Sequence, residues 1–128
     1  MTENDSRDAL ILLGCPQVPV QTSMALYLVH NLAQRGIRPV IAGTPAARKL
    51  MEVADPGRHY LEEMTDIDAA IDEITEKRRD FDLCFVFIHN DSGVAYAGTM
   101  AYISEARVYA LIFGEHAQDL AGEIEFPC

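Results

Sequence analysis

The sequence predicts one α/β domain, a three-layer α/β/α sandwich around a mostly parallel, Rossmann-like sheet of about five strands. Three observations lead there. Short apolar runs free of charge alternate with amphipathic helical stretches along nearly the whole chain, the pattern of right-handed βαβ crossovers. Glycine, proline and capping residues fall at the joints between them. A chain of 128 residues with 49% hydrophobic composition holds one core and is short for two. The domain is therefore expected over residues 9–128, behind a polar N-terminal tail at 1–8.

The run 9–13 has no charge and ends at Gly14, as a strand buried on both faces does, and it is expected at the sheet centre. Pro16 and Pro19 stiffen the loop that follows. Thr22 or Ser23 then caps a helix in which Ala25, Leu28, Val29, Leu32 and Ala33 share one apolar face, and Gly36 stops it. Residues 39–42 form the second strand. Thr44 and Pro45 supply an N-cap and first-turn proline for a helix turning Ala47, Leu50, Met51 and Ala54 inward, ended by Asp55, Pro56 and Gly57.

A short edge strand is expected at 59–61. Thr65 with Asp68 resembles a capping box, and Ile67, Ala70, Ile71 and Ile74 trace the apolar stripe of a surface helix. Residues 83–88 are the most apolar run in the chain and read as a buried strand. From Ser92 to Ser104 there is no charged residue, so a helix capped by Asp91 or Ser92 is expected to be buried all round. A last central strand over 108–113, broken by Gly114, and a short helix over 115–120 complete the pattern; 123–128 reads as an edge strand or coil. The favoured strand order is 3-2-1-4-5.

Ten basic against twenty acidic residues give a negative surface that repels phosphate backbones and anionic lipid headgroups, so nucleic acid and membrane are not expected partners. No apolar run reaches the roughly 18 residues that span a bilayer. The first residues lack the features of a signal or transit peptide, and three widely spaced cysteines, Cys15, Cys84 and Cys128, suit reduced thiols, so a cytoplasmic location is expected.

In open parallel sheets, ligands bind beyond the carboxyl ends of the strands where the strand order reverses, here between the first and fourth strands. Two loops meet there, 14–22 and 89–93, and Cys15, His89, Asp91, Glu115 and His116 are expected around that rim. The ligand-binding candidates are Gln21, Thr22, His89, Asp91, Ser92 and Gly93. Free amides at Ser92, Gly93 and Val94 suit a phosphate or carboxylate, although the same residues equally serve as a plain helix cap. The catalytic candidates are His89 for proton transfer, Cys15 as a thiol nucleophile at a helix start, and Asp91 beside them. Cys15, His89, Asp91 and His116 include metal-compatible donors, but no ligand spacing supports a metal, and none is expected. The chain has no G-x-G-x-x-G, no acidic residue ending the second strand and no P-loop, so it names no cofactor.

Tyr27 and His30 on the first helix, and Tyr96, Met100 and Ile103 on the later one, fall away from the main apolar faces. A homodimer through the helix over 92–104 would cover the latter.

The loop Gly14, Cys15, Pro16, Gln17, Val18, Pro19, Val20, Gln21, Thr22, running into the helix at Ala25 and His30, resembles a family of small proteins from methanogenic archaea known only as a domain of unknown function. The likeness extends over nearly the whole chain, including the loop from His89 to Gly93. It implies a three-layer α/β/α fold, an anaerobic cytosol and an accessory role in one-carbon or cofactor metabolism, and assigns no catalytic residues. Three functions compete: a small-molecule or cofactor-binding domain, an enzyme using Cys15 or His89, and a non-catalytic dimeric subunit or assembly factor.

Overall fold

The computed structural model of the chain describes residues 7–14, 20–114 and 117–122. Its elements are β1 (Arg7–Leu13), α1 (Val20–Gln34), β2 (Ile37–Gly43), α2 (Pro45–Ala54), β3 (Glu63–Asp66), α3 (Ile67–Thr75), β4 (Leu83–Ile88), α4 (Asp91–Ile103), β5 (Arg107–Ile112) and α5 (Ala117–Ala121). The strands form one sheet in the order β3-β2-β1-β4-β5, every pairing parallel. This is the strand order that the sequence favours.

The centre of the sheet is β1, whose residues from Ala9 to Leu13 are all at most 1% exposed. A strand covered on both faces gains nothing from alternation, which is why its sequence is a continuous apolar run. One face packs Ala9, Ile11, Leu13 and Ile41 against Ala25, Val29 and Leu32 of α1 and Ala47 and Met51 of α2. The other packs Leu10, Leu12, Val40 and Ala42 with Ile67, Ala70 and Ile74 of α3 and Ala97 and Met100 of α4. The sandwich therefore has α1 and α2 on one side, α3 and α4 on the other.

Thr44 caps α2 as predicted, accepting from the Ala47 amide at 3.3 Å, while Gly36 has a φ of +74°, the left-handed conformation glycine adopts most readily. Of the residues predicted to face inward on α2, Ala47 and Met51 do; Leu50 is 40% exposed and Ala54 is exposed. Ala33 on α1 is exposed as well. β1 begins at Arg7, two residues before its apolar run, because Arg7 and Asp8 continue the ladder beside Ile37 and Arg38.

Four further local expectations are corrected. Residues 59–61 are not a strand: the Asp55 carboxylate accepts from the amides of His59, Tyr60 and Leu61 at 2.9, 2.9 and 3.0 Å, wrapping the segment into a turn. Burial would raise the Asp55 carboxyl, but these three donors outweigh it and hold it below the ordinary carboxylate value. The edge strand is β3 instead, and Thr65 lies inside it; Asp66 is the cap of α3, accepting from Asp68 and Ala69. Among the described residues β5 lies at the edge of the sheet, and 123–128, expected as an edge strand or coil, lie outside them. α4 is not buried all round, since Ala95, Gly98 and Ala101 are exposed and Tyr102 is 91% exposed. Its outer face lacks charge because it is built of alanine, glycine and tyrosine. Met100, expected at a dimer surface, is fully buried with Ala97 in the chain's own core, and Tyr96 and Ile103 pack against that core.

Candidate functional site

The order β3-β2-β1-β4-β5 reverses its winding between β1 and β4, which pair directly from Ala9↔Leu83 to Leu12↔Val86. Their carboxyl ends deliver Gly14 and His89 to the same end of the sheet, while residues 15–19 of the first loop lie outside the described residues. Cys15, Glu115 and His116 lie outside the described residues, and their expected convergence with His89 and Asp91 lies there too. Among the described residues, no group of three His, Cys, Asp or Glu side chains could hold a metal ion.

Gln21 is the unusual member of the rim. It stands in the first turn of α1 and is 1% exposed. Its position continues the buried face that Ala25, Val29 and Leu32 form, one helical turn further back. Its side-chain amide donates from Nε2 to the Gly14 carbonyl oxygen at 3.3 Å, tying the helix start to the end of β1. The other half of the amide is not satisfied there: Oε1 is buried without a hydrogen-bond partner among the described residues. Leaving such an acceptor unsatisfied costs on the order of 1–3 kcal/mol. Thr22, beside it, is half-buried.

The β4–α4 loop is organised by Asn90, which the sequence places in the loop without marking it as the cap. Its Oδ1 accepts from the Gly93 amide at 3.2 Å and its carbonyl oxygen accepts from Gly93 and Val94 at 3.1 and 3.4 Å. Asp91 and Ser92 are thus exposed first-turn residues rather than caps. Two of the three amides expected to receive an anion are engaged by Asn90, and Asp91 adds a negative charge where the anion would sit. The helix start is therefore a closed cap.

Gly93 is needed for a different reason: a Cβ there would lie 2.9 Å from the Ile88 Cα, so only glycine lets α4 descend this closely onto β4. His89 is half-buried, its ring centroid 5.3 Å from that of Phe113, which in turn meets Phe87 edge-on at 6.1 Å. Gly114 lies beside His89 at φ +96°, a conformation L side chains rarely adopt, and a Cβ there would make ordinary contact with the histidine Cβ at 3.5 Å. His89 is thereby held at the rim by an aromatic wall and a glycine turn.

Cys84 is fully buried in β4, and burial pushes its thiol up to about 12, which makes it a poor nucleophile. Away from the rim, Arg79 and Glu63 form a two-pronged ion pair at 2.8 and 3.3 Å, and Arg79 lies 4.8 Å from the centroid of the Phe81 ring. Glu63 is lowered from its ordinary value chiefly by that hydrogen bond, against a smaller opposing effect of burial. No helix among the described residues is long and apolar enough to cross a membrane.

Comparison with known proteins agrees with this architecture. The chain is 36% identical over 107 residues to the uncharacterized protein MJ0452 of Methanocaldococcus jannaschii, covering 82% of this chain and 70% of that protein. A solved structure titled "Structure of MT0777" superposes with a TM-score of 0.82 at 37% sequence identity, covering 91% of this chain and 77% of the other. Residues 10–128 match the model of a family described as a domain of unknown function, DUF1890. With that match spanning nearly the whole sequence, the chain belongs to the DUF1890 family.

Proposed function

We propose that the protein is a small-molecule or cofactor-binding domain whose ligand sits at the carboxyl ends of β1 and β4, beside Gln21, Thr22 and His89. The observation that carries this reading is the Gln21 Oε1, a buried acceptor with no donor among the described residues. Buried acceptors are ordinarily satisfied. Here the same amide is already fixed through Nε2 to Gly14, so Oε1 is pre-oriented, and a ligand N–H or O–H reaching it recovers the desolvation cost without ordering a new side chain. The closed cap at Asn90 favours a ligand recognised as a hydrogen-bond donor over one recognised as an anion.

The test is Gln21→Met, which keeps the volume and removes the buried carbonyl. In the ligand-free protein it loses one hydrogen bond and relieves one unsatisfied acceptor, so stability to urea is unchanged or rises by up to about 2 kcal/mol. Native mass spectra of protein purified anaerobically from a methanogen should carry an extra mass that denaturation releases, and the variant should lack it. Wild-type protein of bare chain mass, or a variant that keeps the adduct, would overturn the proposal.

A further inference from the structure

The chain has ten lysines and arginines against a net charge of −10, and three of those cations line one cavity. On α2, Pro45, Arg48, Lys49 and Glu52 fall at the i, i+3, i+4, i+7 spacing of one helix face, while Ala47 and Met51 turn into the core. That face borders a cavity of about 290 Å³ together with Met64 of β3 and Arg58 of the turn after α2. The lining thus sets three cations against one carboxylate, beside the edge strand β3. Every residue that lines it is described.

Both guanidinium groups are positioned by carbonyl oxygens. Arg48 donates from Nε to the Gly43 carbonyl at 3.1 Å, and Arg58 from Nη2 to that of Glu62 at 2.6 Å. A carbonyl fixes a guanidinium without cancelling its charge. Arg48 also reaches the Asp66 carboxylate, at a long 3.4 Å. Among the described residues neither Lys49 nor Arg58 has an ion-pair partner. Arg58 stands at φ +53°, a region a bulky side chain seldom adopts, in the turn where its amide donates to the Asp55 carbonyl at 3.0 Å. Another cavity gathers Lys77, Arg78 and Arg79, but with Asp80 and Glu105 beside them, and Arg78 and Arg79 pair with Glu76 and Glu63. There the charge is cancelled within the chain. Beside α2 it is not, and gathering like charges costs energy that a bound anion converts into attraction.

We propose that the cavity between α2 and β3 binds the phosphate group of a small phosphorylated metabolite through Arg48, Lys49 and Arg58. A phosphate monoester carries roughly −1.5 to −2 charge and three strong acceptor oxygens, matching an excess of cations supplied by separate segments of chain. A carboxylate is satisfied by one guanidinium fork. Pro45 has no N–H to offer, so recognition rests on side chains rather than on the start of α2. The negative charge of the rest of the chain repels polymers of phosphate and leaves a single small anion as the occupant. This site is separate from the Gln21 rim, and neither depends on the other.

NMR titration of the ¹⁵N-labelled protein with inorganic phosphate at constant ionic strength tests it, and the same spectra show whether each variant is folded. Arg58→Asn removes the guanidinium and suits a left-handed backbone. Lys77→Asn is its matched control, removing one cation at another non-glycine residue of positive φ, +60°. Wild type should show saturable shifts, largest over residues 45–64. Arg58→Asn and Lys49→Gln should each weaken binding at least ~10-fold, the worth of one charge-assisted hydrogen bond. Lys77→Asn should leave it unchanged, and acetate should bind at least ~10-fold more weakly than phosphate. The absence of saturable shifts, unaltered affinity in Arg58→Asn, an equal loss in Lys77→Asn, or acetate binding as tightly as phosphate would each overturn the proposal.

Discussion

The two sides of β4 and β5 are built from the same apolar alphabet but different sizes. Under α4 the strands present Cys84, Val86, Ile88 and Ala110, all buried, with Val108 and Ile112 of β5 half-buried beside them. On the other side they present Leu83, Phe85, Phe87, Tyr109 and Leu111, of which only Phe87 is fully buried. Where a helix descends until its glycine meets the strand backbone, as Gly93 does on Ile88, there is no room for rings. Where none of the described helices lies, rings fold over the sheet and shield it partly themselves. Side-chain size, more than hydrophobicity, distinguishes a covered face from an open one in a parallel sheet.

The largest effect that would break this comparison is a pair of truncations. Met100→Ala on the covered side should cost ~2–5 kcal/mol, because the site is sealed and the cavity cannot collapse. Leu111→Ala on the open side, measured by urea unfolding, should cost under about half as much, since solvent and neighbours can fill the gap. Equal costs would erase the distinction.

A chemical probe sharpens it. With its thiol held at about 12 by burial, Cys84 should be alkylated at pH 8 at least ~10³-fold more slowly in the folded protein than in urea, followed by mass spectrometry of its peptide. Rapid labelling would mean that the covered side opens as readily as the bare one.

The smallest effect lies at the edge of the sheet. Glu63 is lowered by Arg79, so the pair's contribution is present above the ordinary carboxylate value and fades as pH falls through the lowered folded one. Glu63→Gln should cost no more than about 1 kcal/mol at pH 7, given the exposure of both side chains, and nothing at pH 2. A larger loss at pH 7 would show that β3 is held by charge rather than by pairing with β2.

The interior was the legible part of this fold. The continuous apolar runs of β1, β2 and β4 mark strands buried on both faces, and their alternation with helices leads to the observed order. β3 escaped because Glu63–Asp66 has no apolar run: an edge strand is stabilised by ladder hydrogen bonds to one neighbour, and those leave no trace in hydropathy. α4 misled for the converse reason. Ala95, Gly98 and Tyr102 are uncharged but solvent-facing, and absence of charge was read as burial. At the rim, the sequence named Gln21 and His89 but not what distinguishes them. The spacing of Gln21, Ala25, Val29 and Leu32 on one helix face could have revealed a buried glutamine. That its oxygen lacks a donor is a matter of three-dimensional neighbours, as is the recruitment of Asn90 rather than Asp91 as the cap.

Asp55 shows how a small domain can separate the shape of a loop from its side chains. Its carboxylate grips the amides of three successive residues, and an amide is the same whichever side chain it carries. Of those three, only Leu61 is buried, while His59 and Tyr60 face solvent. Over evolutionary time the loop can therefore exchange residues at 59 and 60 while its path stays fixed, provided the acid at 55 persists. A single conserved anion would then be the signature of a segment whose own sequence drifts.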